Sequence, residues 1–137
     1  MGKLTFIKMH GLGNDFVVFD ARIKNIKLDA STVRAIADRR TGVGCDQLIV
    51  MEPAHSQDAD LFMRIYNSDG SEVDACGNAT RCIAAKVMDE NATDQVTIET
   101  GAGLLDTKRK RTGITVNYGQ AYDDWKAIPL SREMNTL

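Results

Sequence analysis

Residues Asn78–Asn91 read NATRCIAAKVMDEN, the strongest helical stretch in the chain. It contains no Pro or Gly, and Ile83, Ala84, Val87 and Met88 recur at helical spacing. Ala85 joins them, so the middle of the segment is apolar almost all round. A helix apolar on most sides has to be covered on most sides, which predicts a place inside a curved sheet.

The flanking sequence supplies that sheet. Downstream, Gln95–Thr100, Leu104–Lys108 and Gly113–Asn117 read as strands; Thr97 and Glu99 alternate with Val96 and Ile98, and Thr115 alternates with Ile114 and Val116. The basic run Lys108–Arg111 precedes Thr112-Gly113 and reads as a solvated hairpin tip. Upstream, Gln47–Glu52 and Leu61–Asn67 read as buried strands. Asp69-Gly70 is a hairpin signal, so Ser71–Asp74 is predicted to return antiparallel. Residues 4–9 and 16–20 read as two strands joined by a glycine turn over Gly11–Asp15. Residues 29–40 read as a helix capped by Asp29 or Ser31, with Val33, Ile36 and Ala37 on one face. The order β-β-α-β-β-β-α-β-β-β, with mostly hairpin links, predicts an α+β domain: an antiparallel sheet or barrel wrapped around a central helix.

Composition narrows the function. The chain has 137 residues, 43% hydrophobic and 26% charged, which are globular proportions. A net charge of −2 excludes a nucleic-acid binder that works by bulk positive charge. No run approaches the ~18 apolar residues of a membrane span, and Met1–His10 shows no targeting signal. Three cysteines, Cys45, Cys76 and Cys82, suit reduced cytoplasmic thiols rather than a disulfide framework. No metal site is expected, because neither His10 nor His55 lies near a Cys. Gly11-Leu12-Gly13 and Gly42-Val43-Gly44 resemble the start of a dinucleotide-binding loop, but the third glycine is replaced by Phe16 and Gln47 respectively.

The residues that could carry chemistry gather just before the central helix. Cys76 falls beside free backbone N–H groups and the positive end of the helix dipole, both of which favour a thiolate. Gly77 lets a ligand approach the backbone, and the N–H groups of Gly77, Asn78 and Ala79 could hold a carboxylate or an oxyanion. Cys82 lies about 240° further round the helix, so it points away from Cys76 and reads as core. Cys45 reads as packing. The amides Asn14, Gln47, Asn67 and Asn78 both donate and accept, which suits a zwitterion; each alone is also an ordinary turn or cap residue.

Four motifs taken together resemble the diaminopimelate epimerases. They are Lys8–Phe16 (KMHGLGNDF), Arg40–Gln47 (RTGVGCDQ), Arg64–Val73 (RIYNSDGSEV) and Ala75–Cys82 (ACGNATRC). Asp124–Leu130 (DWKAIPL) also looks like the family's connector between two domains. Ala79 stands where many members carry Gly. The resemblance implies a cofactor-independent isomerase that interconverts LL- and meso-2,6-diaminoheptanedioate, using two cysteines on opposite faces of the α-carbon. Cys76 matches the first cysteine, and Asn14, Gln47, Asn67, Gly77 and Asn78 match substrate-binding positions. It also implies one of two pseudo-symmetric domains, residues 1–119, followed by a connector at 120–137. Nothing in the chain matches the family's second cysteine motif, so half a site, inactive alone, is expected. The expected partners are a small amino-acid substrate and either a homodimer or the missing C-terminal domain, with no nucleic acid and no membrane. Two other readings are a proline-racemase-like or phenazine-synthesis-like isomerase, and a non-catalytic amino-acid-binding or self-associating fragment.

Overall fold

Residues 2–118 are described here from a computed structural model. The elements run β1 (Ile7–Gly11), β2 (Asn14–Asp20), α1 (Ala30–Ala37), β3 (Gln47–Glu52), β4 (Leu61–Asn67), β5 (Glu72–Val73), α2 (Gly77–Asn91), β6 (Gln95–Thr100), β7 (Gly103–Lys110) and β8 (Gly113–Asn117). The order is the one read from the sequence. The first turn is tighter than expected: β2 begins at Asn14, leaving only Leu12 and Gly13 between the strands. The predicted connector, residues 120–137, lies outside the described residues.

One curled sheet has the order β1-β2-β3-β4-β6-β7-β8, with β5 paired to β4. The predicted sheet around a central helix forms, but it is mixed. β2 pairs β3 in parallel, and β4 pairs β6 in parallel; the other described pairings are antiparallel. Parallel neighbours need a long crossover, and each of these pairs is joined through a helix. α1 lies between β2 and β3, and β5 with α2 lies between β4 and β6.

The two helices take opposite faces of the sheet. α2 lies in the concave side, where Ile83, Ala84, Val87 and Met88 pack with Phe16, Val18, Ile49, Met51, Met63 and Ile65. No α2 residue from Ala79 to Met88 is exposed, as its apolar circumference requires. α1 covers the outer side of β2 and β3, where Val33 and Ala37 join Val17, Phe19, Leu48 and Val50. Asp29 caps α1 by accepting from the Thr32 N–H at 2.7 Å. Because both faces of the sheet's centre are covered, β2 and β3 are continuous apolar runs and not alternating ones. Past β4 the chain turns at Gly70, whose φ of +91° and close approach to Ala30 exclude a side chain. No helix among the described residues is long and apolar enough to cross a membrane.

Candidate active site

Strand parity builds the site. Successive strand residues point to opposite faces, so every second residue of β2, β3 and β4 faces α2. The inward stripes run Val18–Phe16 in β2, Met51–Ile49 in β3 and Met63–Ile65 in β4. Two residues further along, the same stripes end in Asn14, Gln47 and Asn67. Register places Phe16 opposite Gln47 and Gln47 opposite Asn67, so the three stripes finish at one end of the sheet. The hydrophobic interior thus gives way there to a rim of amides.

The start of α2 meets that rim. Cys76 is its N-cap residue, in extended conformation and making no side-chain cap bond. Its Sγ donates to Asn14 Oδ1 at 3.8 Å, and Asn78 Nδ2 donates to the same oxygen at 3.4 Å. The Asn78 Oδ1 accepts from Arg81. Gln47 and Asn67 form a second set on the same face: Gln47 Nε2 donates to Asn67 Oδ1 at 3.2 Å, and Asn67 Nδ2 donates to Ser71 Oγ at 3.4 Å. The six residues singled out from sequence therefore share one end of the molecule, with Asn14, Cys76 and Asn78 in direct contact.

Gly77 lies under a small cover. A Cβ there would sit 2.5 Å from the Tyr118 hydroxyl and 3.7 Å from an Arg81 guanidinium nitrogen. Arg81 and Tyr118 therefore stand over the first turn of α2, whose early N–H groups have no acceptor within the helix. Ala79 is fully buried in the inner core behind the turn.

Behind the rim, Asp15 and Asp46 tie β2 to the lead-in of β3. Each backbone N–H donates to the other's carboxylate at 3.0 Å. Arg39 bonds both carboxylates, and Lys8 bonds Asp15 at 2.8 Å. The Arg39 guanidinium holds the Asp15 carboxyl far below the usual carboxylate range; burial opposes this, while Lys8 and Asp46 reinforce it. Asp46 reaches forward as well, accepting from Asn14 Nδ2 at 3.2 Å.

The other two thiols sit elsewhere. Cys45 is 2% exposed within the outer core, and burial pushes its thiol up. Cys82 is half-buried against the inner core and faces Gly11; burial pushes its thiol up too. Sequence reasoning missed Arg81, Asp46 and Tyr118 as parts of the site. Arg81 follows Asn78 at i+3 on a helix, a spacing that brings side chains together and could have flagged it. Asp46 adjoins Gln47 but acts on a residue of another strand. Tyr118 reaches Gly77 only through the fold.

This half-barrel recurs in solved structures. A hydroxyproline epimerase from Agrobacterium vitis superposes with a TM-score of 0.60 at 15% identity, over 81% of this chain and 40% of that one. A probable proline racemase from Agrobacterium radiobacter gives 0.60 at 15% identity, over 83% and 41%. At such identities the likeness is one of fold. The sequence goes further: the profile for diaminopimelate epimerase matches residues 6–123. The diaminopimelate epimerase of Rhodospirillum centenum is 55% identical over 133 residues, 96% of this chain and 46% of the relative. That of Rhizorhabdus wittichii is 51% identical over 135 residues, 98% of this chain and 47% of the relative. The chain belongs to the diaminopimelate epimerase family, and it spans about half the length of the curated relatives it matches.

Proposed function

We propose that this chain supplies one half of the active site of an enzyme that epimerises LL-2,6-diaminoheptanedioate to the meso form without a cofactor. In this reading residues 1–119 are one of two domains, and the enzyme works in the reducing cytoplasm, where Cys76 stays a thiol. The observation that supports it most directly is the meeting of Cys76 with Asn14 and Asn78 at the first turn of α2.

The chemistry follows from that meeting. Inverting a stereocentre needs a base on one face of the α-carbon and an acid on the other. Cys76, as thiolate, takes the α-proton; the C–H electron pair becomes a π bond between the α-carbon and the carboxylate carbon as the C=O π pair moves onto oxygen, and the pair returns to the α-carbon when a thiol on the opposite face protonates it. The developing negative charge on the carboxylate would lie against the N–H groups at the start of α2, where the helix dipole favours it. Asn14, Gln47, Asn67 and Asn78 would hold the substrate's ammonium and carboxylate groups, with Gly77 admitting it close to the backbone. The second cysteine comes from the other half of the protein, so the chain alone is expected to be inactive.

The test is solvent exchange. Incubated alone with the LL substrate in D₂O, the chain should neither incorporate deuterium at the α-carbon nor form the meso isomer. Combined with a chain carrying the complementary half of a family member, it should do both, and Cys76→Ala should abolish both by at least about a thousandfold, since the base is then missing. Epimerisation by the isolated chain would refute the half-site, and full activity of the Cys76→Ala assembly would refute the role of Cys76.

A further inference from the structure

We propose that Asp46 and Arg81 are positioning residues that clamp the two site amides, Asn14 and Asn78, into a single polarity. An amide has a donor end and an acceptor end of nearly equal shape, so a pair of touching amides can run in either direction. Here both ends of the pair meet a group that cannot change role. Asp46 presents a carboxylate, which only accepts; it lies 3.2 Å from Asn14 Nδ2. Arg81 is a guanidinium, which only donates; it bonds Asn78 Oδ1. Asn78 Nδ2 then donates to Asn14 Oδ1 at 3.4 Å. The donors run Arg81 to Asn78 to Asn14 to Asp46, and reversing either amide would set donor against donor or acceptor against acceptor.

The clamp is itself anchored. Asp46 accepts from the Asp15 N–H at 3.0 Å and from Arg39 at 3.0 Å, so its carboxylate is fixed before Asn14 reaches it. Arg81 is fixed by its place three residues after Asn78 on α2. The result is that Asn14 turns its oxygen toward Cys76, whose Sγ donates to it at 3.8 Å. The rim therefore presents an acceptor beside the cysteine, a polarity that suits the ammonium group of an amino acid. That last step rests on the proposed substrate site; the clamp does not.

The test separates the two by using the ligand-free chain. In a ¹⁵N-labelled sample, the Asn14 side-chain NH₂ should have one proton shifted downfield and slow to exchange with water. Asp46→Asn should speed that exchange about tenfold or more, the scale of losing a hydrogen bond to a charged acceptor. It should also raise the alkylation rate of Cys76, read by peptide mass spectrometry, by about threefold or more, as the freed amide turns a donor toward the sulfur. Arg81→Met should act from the other end, splitting the Asn78 NH₂ signals into two sets as the released amide turns over. Asp38→Asn removes a carboxylate beside Arg39 whose bonds go to the Arg40 and Thr41 N–H groups and not to Asp46 or the Asn14 amide. It should leave the Asn14 signals and the alkylation rate unchanged. Wild-type exchange and alkylation rates in Asp46→Asn, with unsplit Asn78 signals in Arg81→Met, would overturn the clamp. Equal effects from Asp38→Asn and Asp46→Asn would overturn it too, because charge alone would then explain them.

Discussion

At the scale of single residues, the site depends on an ion cluster one layer behind it. Asp15 is held ionised chiefly by Arg39, with Lys8 and Asp46 adding to the effect. Its folded-state affinity for a proton is therefore lower than in the unfolded chain, where an Asp titrates near ~3.9. By linkage the stabilisation is fully present above that range and is lost as pH falls through and below it, because the unfolded state takes up the proton first. The expected outcome is that Asp15→Asn unfolds at a lower urea midpoint than wild type at pH 7, and that the gap holds down to about pH 5, begins to narrow near pH 4 and goes on narrowing toward about pH 2. A gap that stays constant over that range would mean that Asp15 acts through shape and not through charge. The rim amides were singled out in the sequence by the glycine loops and the family motifs, and strand parity explains why three of them meet. Asn14, Gln47 and Asn67 share strand parity with Phe16, Ile49 and Ile65, so core and site lie on one face. Asp46, Arg81 and Tyr118 were not legible as site residues. Nothing local marks Asp46 or Tyr118, whose targets lie on other elements, and only the i+3 spacing from Asn78 marks Arg81.

At the scale of elements, α2 carries a defect at its far end. Its C-cap, Ala92, sits in the left-handed region at φ 51° and ψ 46°, with its N–H bonded to Met88 O. The Thr93 N–H reaches the same oxygen at 3.1 Å, so the turn is closed as tightly as a glycine would close it. A left-handed conformation costs an L-residue about 1–2 kcal/mol, and glycine would escape it while adding some unfolded-state entropy. Ala92→Gly is therefore expected to stabilise the chain by about 0.5–1 kcal/mol, seen as a rise of a few degrees in the thermal midpoint. An unchanged or lower midpoint would show that the strain is relieved elsewhere. Elements were the best-read level of this sequence. Five strands, Gln47–Glu52, Leu61–Asn67, Gln95–Thr100, Gly113–Asn117 and the short return at Glu72–Val73, lie at or within the predicted spans. The two parallel pairings escaped, because periodicity reports which face of a strand is buried and says nothing about which strand lies beside it. Both errors fell where a helix intervenes between partners, the one place where a hairpin cannot be assumed.

At the scale of the whole molecule, two separate cores flank one sheet, and they should not contribute equally to its cohesion. The inner core joins α2 to residues of β2, β3, β4 and β6, so it links both crossovers. The outer core holds α1 to β2 and β3, takes in Ala21, Cys45, Ile26 and Leu28 from the adjoining loops, and reaches β4 at Tyr66. Ile83, fully buried at the centre of the inner core, should cost about 2–5 kcal/mol when truncated to Ala. That is a large share of the roughly 5–15 kcal/mol that holds a domain of this size together. Its loss should reduce amide-exchange protection across β2, β3, β4, β6 and α2 together. Val33, equally buried but in α1, should behave differently when truncated. Protection should fall in α1 and the chain around it, while β6 and α2 keep theirs, because the outer cluster that holds Val33 has no β6 or α2 residue among the described residues. The candidate site at the start of α2 belongs to the inner unit, so Cys76 alkylation should accelerate in Ile83→Ala and stay at the wild-type rate in Val33→Ala. If Val33→Ala instead lowers protection uniformly, the two cores unfold as one, and α1 is as necessary to the site as the helix that bears it.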